Sequence, residues 1–196
     1  MQFIRTGLFV LLSINVGLYL RYGTANEALE QVAWLILFAT FLYDSLDLGE
    51  AYASRFEQFG IHAAQTIGYG LLTYTCWGYW AAGDTSSFVN TAAWLAICAL
   101  LAYDVYAPGE YGGFEWRVRN VAKAVLYAVV VALVGLWGWQ GVSKNDADSL
   151  VSAYDAALWI GCFAIVELRV FDFETKEEAE LMQHPTEPLV ERTARD

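Results

Sequence analysis

The sequence predicts an all-α membrane protein, a bundle of six transmembrane helices built from repeated two-helix units. Hydrophobic residues make up 57% of the 196-residue chain and charged residues only 17%, a composition outside the usual soluble range. Six apolar segments are each long enough to cross about 30 Å of hydrocarbon at about 1.5 Å per helical residue. Two of these regions also repeat each other at a spacing of 60 residues.

The six apolar segments follow one another along most of the chain. They are Phe3–Leu20, Leu29–Leu46, Ile61–Ala82, Phe88–Ala107, Val118–Trp139 and Leu150–Phe171. Their long, evenly apolar runs lack the alternation of outer-membrane strands, so helices are predicted. The first segment resembles a signal peptide, but Arg21 fits a cleavage region badly, and we expect a retained span.

The repeat is clearest between residues 32–50 and 92–110, which align without gaps. Eight positions are identical in this alignment, too many for shared composition alone. The identical pairs are Ala33/Ala93, Trp34/Trp94, Leu35/Leu95, Ala39/Ala99, Tyr43/Tyr103, Asp44/Asp104, Gly49/Gly109 and Glu50/Glu110. Such repetition is typical of architectures made from one duplicated supersecondary unit.

The repeated unit contains a second helix as well as the first. The spacing of 60 residues also pairs Trp77-Gly78 with Trp137-Gly138, and a third, partial copy starts at Trp159. The copies are therefore placed near residues 30–82, 90–142 and 150–171. Units that run in the same direction are expected to be pseudo-symmetric about the membrane normal.

The basic residues predict the orientation of the chain. With six spans, nine of the eleven Lys and Arg residues lie on the side of the termini, and only Arg21 and Lys144 lie on the other side. Cytoplasmic loops carry the excess of positive charge, so both termini are predicted to be cytoplasmic. The predicted location is the cell (inner) membrane, with residues 1–171 as the transmembrane domain.

Residues 172–196 form an acidic tail that accounts for much of the net charge of −11. A segment this polar is expected to be solvated, or to dock on a cytoplasmic partner. Its charge repels phosphate, so no nucleic-acid partner is predicted. The predicted partners are the lipid bilayer and either further copies of the chain or other subunits of a membrane complex.

The chain lacks the residue patterns of cofactor and metal sites. It has two histidines, His62 and His184, too few and too far apart for a membrane haem or a zinc site. Its three cysteines have no paired spacing, which argues against a disulfide framework. No nucleophile triad, phosphate-binding loop or zinc-protease motif is present. The sequence therefore predicts no enzyme, no catalytic residue, no cofactor and no metal.

Ionisable residues near the cytoplasmic ends of the segments are candidates for transport or gating. Acids end the even segments and basic residues begin the odd ones, so a bundle would bring them into one ionic layer. The candidates are Asp44, Asp104, Glu167, Arg5, His62, Lys123 and Arg169. Alternatively, each is an ordinary helix-end residue that reaches water or pairs with a neighbour.

The third segment is the most polar at mid-bilayer depth. Gln65, Thr66, Tyr69 and Thr73 are candidates for lining a pathway, because the corresponding helix of the next copy is almost wholly aliphatic. The alternative is that these side chains bond to adjacent helices or to carbonyls of their own helix.

The same segment contains Thr66-Ile67-Gly68-Tyr69-Gly70, which resembles the selectivity filter of potassium channels. That resemblance implies backbone carbonyls that replace an ion's hydration shell. The context differs from the channel family, because no Asp follows the second glycine and an apolar run continues where an outer loop is expected.

Two function classes follow from these patterns. The first is a small transporter or channel for an ion or small solute, with its pathway near the third helix. The second is a non-catalytic accessory subunit of a larger membrane complex, in which small-residue faces and the acidic tail serve packing and docking.

Overall fold

The computed structural model describes residues 2–46, 55–106 and 113–164, and within these ranges the chain is helical and has no strand. The helices are α1 (Gln2–Tyr22), α2 (Ala25–Leu46), α3 (Arg55–Ala82), α4 (Thr85–Tyr106), α5 (Phe114–Lys144) and α6, described over 147–164. The all-α class and the six helical segments are confirmed. The end of the sixth segment and the acidic tail lie outside the described residues.

Three turns of two residues each join α1 to α2, α3 to α4 and α5 to α6. Gly83 and Asn145 have positive φ, 76° and 52°, which ends α3 and α5 with a left-handed residue. The backbone N–H groups of Asp84 and Asp146 then donate to carbonyls of the preceding helix, each at 3.0 Å. Each pair is therefore a tight αα-hairpin.

The first turns of α2 and α4 are capped by side chains. Thr24 and Glu27 form a capping box, since Thr24 N donates to Glu27 Oε2 at 2.7 Å and Glu27 N donates to Thr24 Oγ1 at 3.3 Å. Asp84 Oδ1 accepts from Ser87 N at 3.2 Å. These bonds satisfy helix N–H groups that have no partner inside the helix.

The chain divides into a first unit, residues 1–157, and a second unit, residues 158–196, described only over 158–164. In the first unit each of α2 to α5 packs on the helix before it. Its apolar core includes Trp34 and Trp94, whose rings meet edge to face with centroids 6.5 Å apart. In the second unit the rings of Trp159 and Phe163 lie 6.3 Å apart.

The closest approach of α2 to α3 depends on glycines of α3. A Cβ on Gly68 would lie 2.7 Å from Leu37 Cδ2, and one on Gly78 would lie 2.5 Å from Asn26 Oδ1. Asn26 Nδ2 donates to the Thr75 carbonyl at 3.0 Å, which is possible because the backbones are this close.

The exterior carries many large apolar side chains. Two described helices are long and apolar enough to cross a membrane: Thr85–Asp104 in α4, with a mean hydropathy of 1.5, and Phe114–Lys144, with 2.0. Only 22% and 11% of their most apolar stretches is buried, whereas the core helix of a soluble protein is mostly buried. These helices are therefore candidates for membrane spans.

Candidate functional site

A small polar cavity lies in the first unit, close to the three two-residue turns. All six helices contribute to its wall, among others through Tyr19, Glu30, Tyr79, Asn90, Trp137 and Asp155. It offers about 20 Å³ to the centres of water molecules, and a single water needs roughly 10–15 Å³. The cavity therefore has room for one or two water-sized species and none for an organic solute.

Glu30 of α2 is 7% exposed, and its carboxyl is within hydrogen-bond distance of neutral groups on α2 itself, α3 and α4. Tyr79 Oη of α3 donates to Oε2 at 2.6 Å, and Trp34 Nε1, one turn along α2, donates to Oε1 at 3.4 Å. Thr91 Oγ1 of α4 lies 2.6 Å from Oε1. Every hydrogen-bond partner that the described residues offer this carboxyl is thus a neutral group.

Asp155 of α6 is the second buried acid, at 8% exposure. Asn15 Nδ2 of α1 donates to its Oδ1 at 2.5 Å, and Gln31 Nε2 of α2 donates to its Oδ2 at 2.8 Å. Gln31 follows Glu30 in the chain, so α2 carries one buried acid next to a hydrogen-bond partner of the other, and both acids line the cavity. The pair of acids therefore shares a single cavity.

Two buried amide oxygens at this end of the unit remain unbonded. Oδ1 of Asn15 and Oδ1 of Asn90 have no hydrogen-bond partner among the described residues. Asn15 is fully buried, and Asn90 lines the cavity. Buried acceptors of this kind usually bind a water or another donor.

An ion-pair cluster joins the C-terminal end of α4 to the N-terminal part of α5, away from the cavity. Asp104 accepts from Arg119 Nη1 at 2.5 Å and from Lys123 Nζ at 3.0 Å, and the three side chains are only 9–16% exposed. The Arg119 guanidinium also lies over the Tyr103 ring, 5.2 Å from its centroid. Two of the predicted ionic-layer residues, Asp104 and Lys123, thus lie together, joined by Arg119, which was not predicted.

The other ionic-layer candidates are placed only in part. His62 lies on the exposed surface of α3, with Nδ1 3.4 Å from Gln65 Oε1. Arg5 and Asp44 lie in α1 and α2, but their side chains are outside the described part of the structure. Glu167 and Arg169 lie outside the described residues altogether.

The four pathway candidates lie on α3 away from the cavity. Thr66, Tyr69 and Thr73 are exposed, and Gln65 is half-buried. Thr66 Oγ1 donates to the His62 carbonyl at 2.7 Å, and Thr73 Oγ1 donates to the Tyr69 carbonyl at 2.9 Å. Both hydroxyls therefore bond one turn back within their own helix, as threonines in helices often do.

Residues 66–70, which resemble a channel filter, belong to the same continuous helix. A filter presents extended backbone whose carbonyls face an ion. In a helix those carbonyls accept hydrogen bonds from N–H groups four residues ahead. The described structure therefore contains no filter-like backbone at this position.

Glu30 and Asp155 were missed from the sequence, although a signal for them exists. Glu30, Asn90 and Asp155 each stand four residues, about one helical turn, before the tryptophan of a predicted repeat copy, Trp34, Trp94 or Trp159. All three line the cavity. Extending the repeat one turn toward the N-terminus would have found this polar position.

Comparisons with protein families, with curated proteins and with solved structures found no match to this chain. The described residues also contain no group of three His, Cys, Asp or Glu side chains suited to a metal ion. The cavity offers three carboxyls, those of Glu27, Glu30 and Asp155, together with two phenols and the unbonded amide oxygen of Asn90. These groups can hold water and exchange protons with it.

Proposed function

We propose that this chain is a multi-pass protein of the cell (inner) membrane that transports a small ion. The membrane assignment rests on one observation: the first unit exposes many aliphatic side chains and buries several polar and acidic ones. Large aliphatic side chains such as Val121, Val131 and Val142 are more than half exposed, whereas Asn15, Glu30 and Asp155 are buried. Exposed aliphatic surface on this scale is unfavourable in water and suits contact with lipid.

The proposal includes six spans with both termini in the cytoplasm. Helices α1, α2 and α3 have 21, 22 and 28 residues, enough to cross about 30 Å of hydrocarbon. Buried side chains such as Asn15, Glu30, Gln31 and Thr75 contribute to their lower hydropathy. A helix whose polar residues face the bundle interior can span a bilayer at modest mean hydropathy.

The cavity and the ion-pair cluster support transport. In the proposed topology the cavity lies in the outer half of the bilayer, and Asp104, Arg119 and Lys123 lie near the cytoplasmic surface. Buried carboxyls within membrane helices commonly mark ion or proton pathways. We infer that the cavity is the binding site and that the ion-pair cluster closes the route on the cytoplasmic side. The pathway then runs between the helices, beside the Tyr79 end of α3.

Flux in proteoliposomes tests this function. Glu30→Gln and Asp155→Asn keep the size of the side chains and remove their charge, so both should reduce ion flux to the level of empty liposomes. Asp148→Asn is the matched control, because Asp148 is an exposed acid near the same end of the unit. Wild-type flux in both cavity variants would overturn the proposed site.

The exposed face of α3 favours a second candidate, an accessory subunit of a membrane complex. Thr66, Tyr69, Thr73 and Tyr74 are exposed there, and polar or small residues on membrane helices often pack against other helices. The mass of the particle extracted in native nanodiscs separates the two candidates. A small homo-oligomer favours transport, whereas constant co-purification with unrelated chains favours the subunit.

A further inference from the structure

The position of the Thr91 hydroxyl indicates what occupies the cavity. Thr91 Oγ1 lies 2.6 Å from Glu30 Oε1 and 2.9 Å from the Ser87 carbonyl, one turn back in α4. A hydroxyl has one proton and can donate it to only one of these oxygens. If Thr91 donates to Glu30, the carboxylate can be ionised.

If Thr91 donates to Ser87 instead, its contact with Glu30 needs a proton on Glu30. Two oxygens at 2.6 Å without a hydrogen between them would repel, whereas a protonated Glu30 can donate to Oγ1 at this distance. Donation to a carbonyl one turn back is the usual bond of a helical threonine. The positions of the heavy atoms are therefore compatible with both a charged and a neutral Glu30. The two states differ in the proton on Glu30 and in the direction of the Thr91 hydroxyl.

The groups around Glu30 favour binding of a proton. In the described part of the chain, the titratable groups that face it are all acids. They are Tyr19 of α1, Glu27 of α2, Cys76 and Tyr79 of α3, and Asp155 of α6. The residues of α4 and α5 in the cavity wall, among them Asn90 and Trp137, are neutral. Carboxyls that share so small a space do not all ionise together.

We propose that Glu30 binds and releases a proton through this cavity, and that the Thr91 hydroxyl turns from Ser87 toward Glu30 when the proton leaves. This inference rests on the proposed function, since it names H⁺ as the ion that the site takes up. In the uptake step a hydronium in the cavity gives its proton to a carboxylate oxygen of Glu30, and a neutral water remains. Asn90 Oδ1, a buried acceptor that no described residue bonds, is suited to holding that water.

Infrared difference spectroscopy of the full chain in nanodiscs, recorded while the pH is changed, tests the proton site. The proposal expects a pH-dependent carbonyl band of a protonated carboxyl that shifts in D₂O, disappears in Glu30→Gln and persists in Asp148→Asn. If Glu30→Gln does not fold, Thr91→Val should still shift the band, and Thr91→Ser should shift it less. Absence of the band at every pH at which the protein stays folded would overturn the proposal. Its loss in Asp155→Asn with retention in Glu30→Gln would also overturn it.

Proton flux measured with a dye trapped in proteoliposomes separates this inference from the proposed function. A Glu30 band without flux of any ion supports the proton site and overturns transport. Flux of another cation without a Glu30 band overturns the proton site and leaves transport supported. Proton flux that is lost in Glu30→Gln together with the band supports both.

Discussion

At the scale of single residues, the first unit is organised by buried polar groups that connect distant parts of the chain. Gln31 and Asp155 are 124 residues apart in sequence, and Asn15 and Asp155 are 140 apart. Asp155 thereby ties α6 to both α1 and α2, and Glu30 ties α2 to α3 and α4. Hydrogen bonds between residues so far apart in the chain favour one arrangement of the helices, because a buried polar group left without a partner is costly.

Tyr79→Phe tests the contribution of one such bond. The change removes the hydroxyl that donates to Glu30 Oε2 and keeps the ring, so the free energy of unfolding should fall by about 1–3 kcal/mol. Thermal or denaturant unfolding in detergent measures it. Tyr74→Phe is the control, because Tyr74 is 63% exposed. Equal stability of the two variants would show that the hydroxyl bond contributes nothing net.

Asp104→Asn tests the ion-pair cluster. The change leaves Arg119 and Lys123 without their shared anion, so we expect lower thermal stability together with altered ion flux. Exchanging the charges, with Asp104→Lys and Lys123→Asp in one chain, should restore part of both. A variant with lower stability and normal flux would make the cluster structural only. No change in either quantity would leave Asp104 without the role proposed here.

At the scale of helices, the three hairpins share one kind of turn but end their helices differently. Gly83 and Asn145 are left-handed, whereas the α1–α2 turn relies on the capping box of Thr24 and Glu27. A two-residue connection holds the paired helices antiparallel, since a longer loop would allow more relative positions. The surfaces that these helices present to each other then determine how closely they pack.

The two glycines Gly68 and Gly70 of α3 test helix packing against helix propensity. A Cβ on Gly68 would lie 2.7 Å from the buried Leu37, so Gly68→Ala should lower the free energy of unfolding by about 1–3 kcal/mol. Gly70 has nothing within 4 Å of its would-be Cβ, so Gly70→Ala should be neutral or stabilising by up to about 1 kcal/mol. Unfolding of both variants in the same detergent measures the difference. Equal changes in the free energy of unfolding for the two variants would contradict the close approach of α2 to α3 at Gly68.

At the scale of the whole molecule, the proposed topology is open to a direct chemical test. Single Cys probes in residues 141–148 should react with an impermeant thiol reagent added outside intact cells, because the proposal puts this turn outside. Probes in residues 111–114 should not react. Reaction of 111–114 from outside would contradict six spans with cytoplasmic termini. Probes at 56–60 should be protected as well, which tests the filter-loop alternative.

The helices were predictable from the sequence, because segment length and composition are local properties. The predicted third segment, Ile61–Ala82, ends where α3 ends, although α3 begins six residues earlier, at Arg55. The cavity was not predictable in the same way. Glu30 in sequence is an acid near a helix start, and its burial depends on Tyr79 and Thr91, far along the chain. The pathway candidates on α3 were chosen for polarity, but polarity does not reveal which face of a helix is turned inward.

The brevity of the three turns has a consequence for how the protein is made. If both termini stay in the cytoplasm, the segments that must be carried across the bilayer during synthesis are pairs of residues, not loops or domains. In the turns at 83–84 and 145–146, the N–H groups of Asp84 and Asp146 are already bonded to carbonyls of the preceding helix. A hairpin formed before insertion would therefore expose few unpaired polar groups to lipid. In the proposed topology, membrane insertion proceeds pair by pair, with only a two-residue turn of each hairpin to translocate.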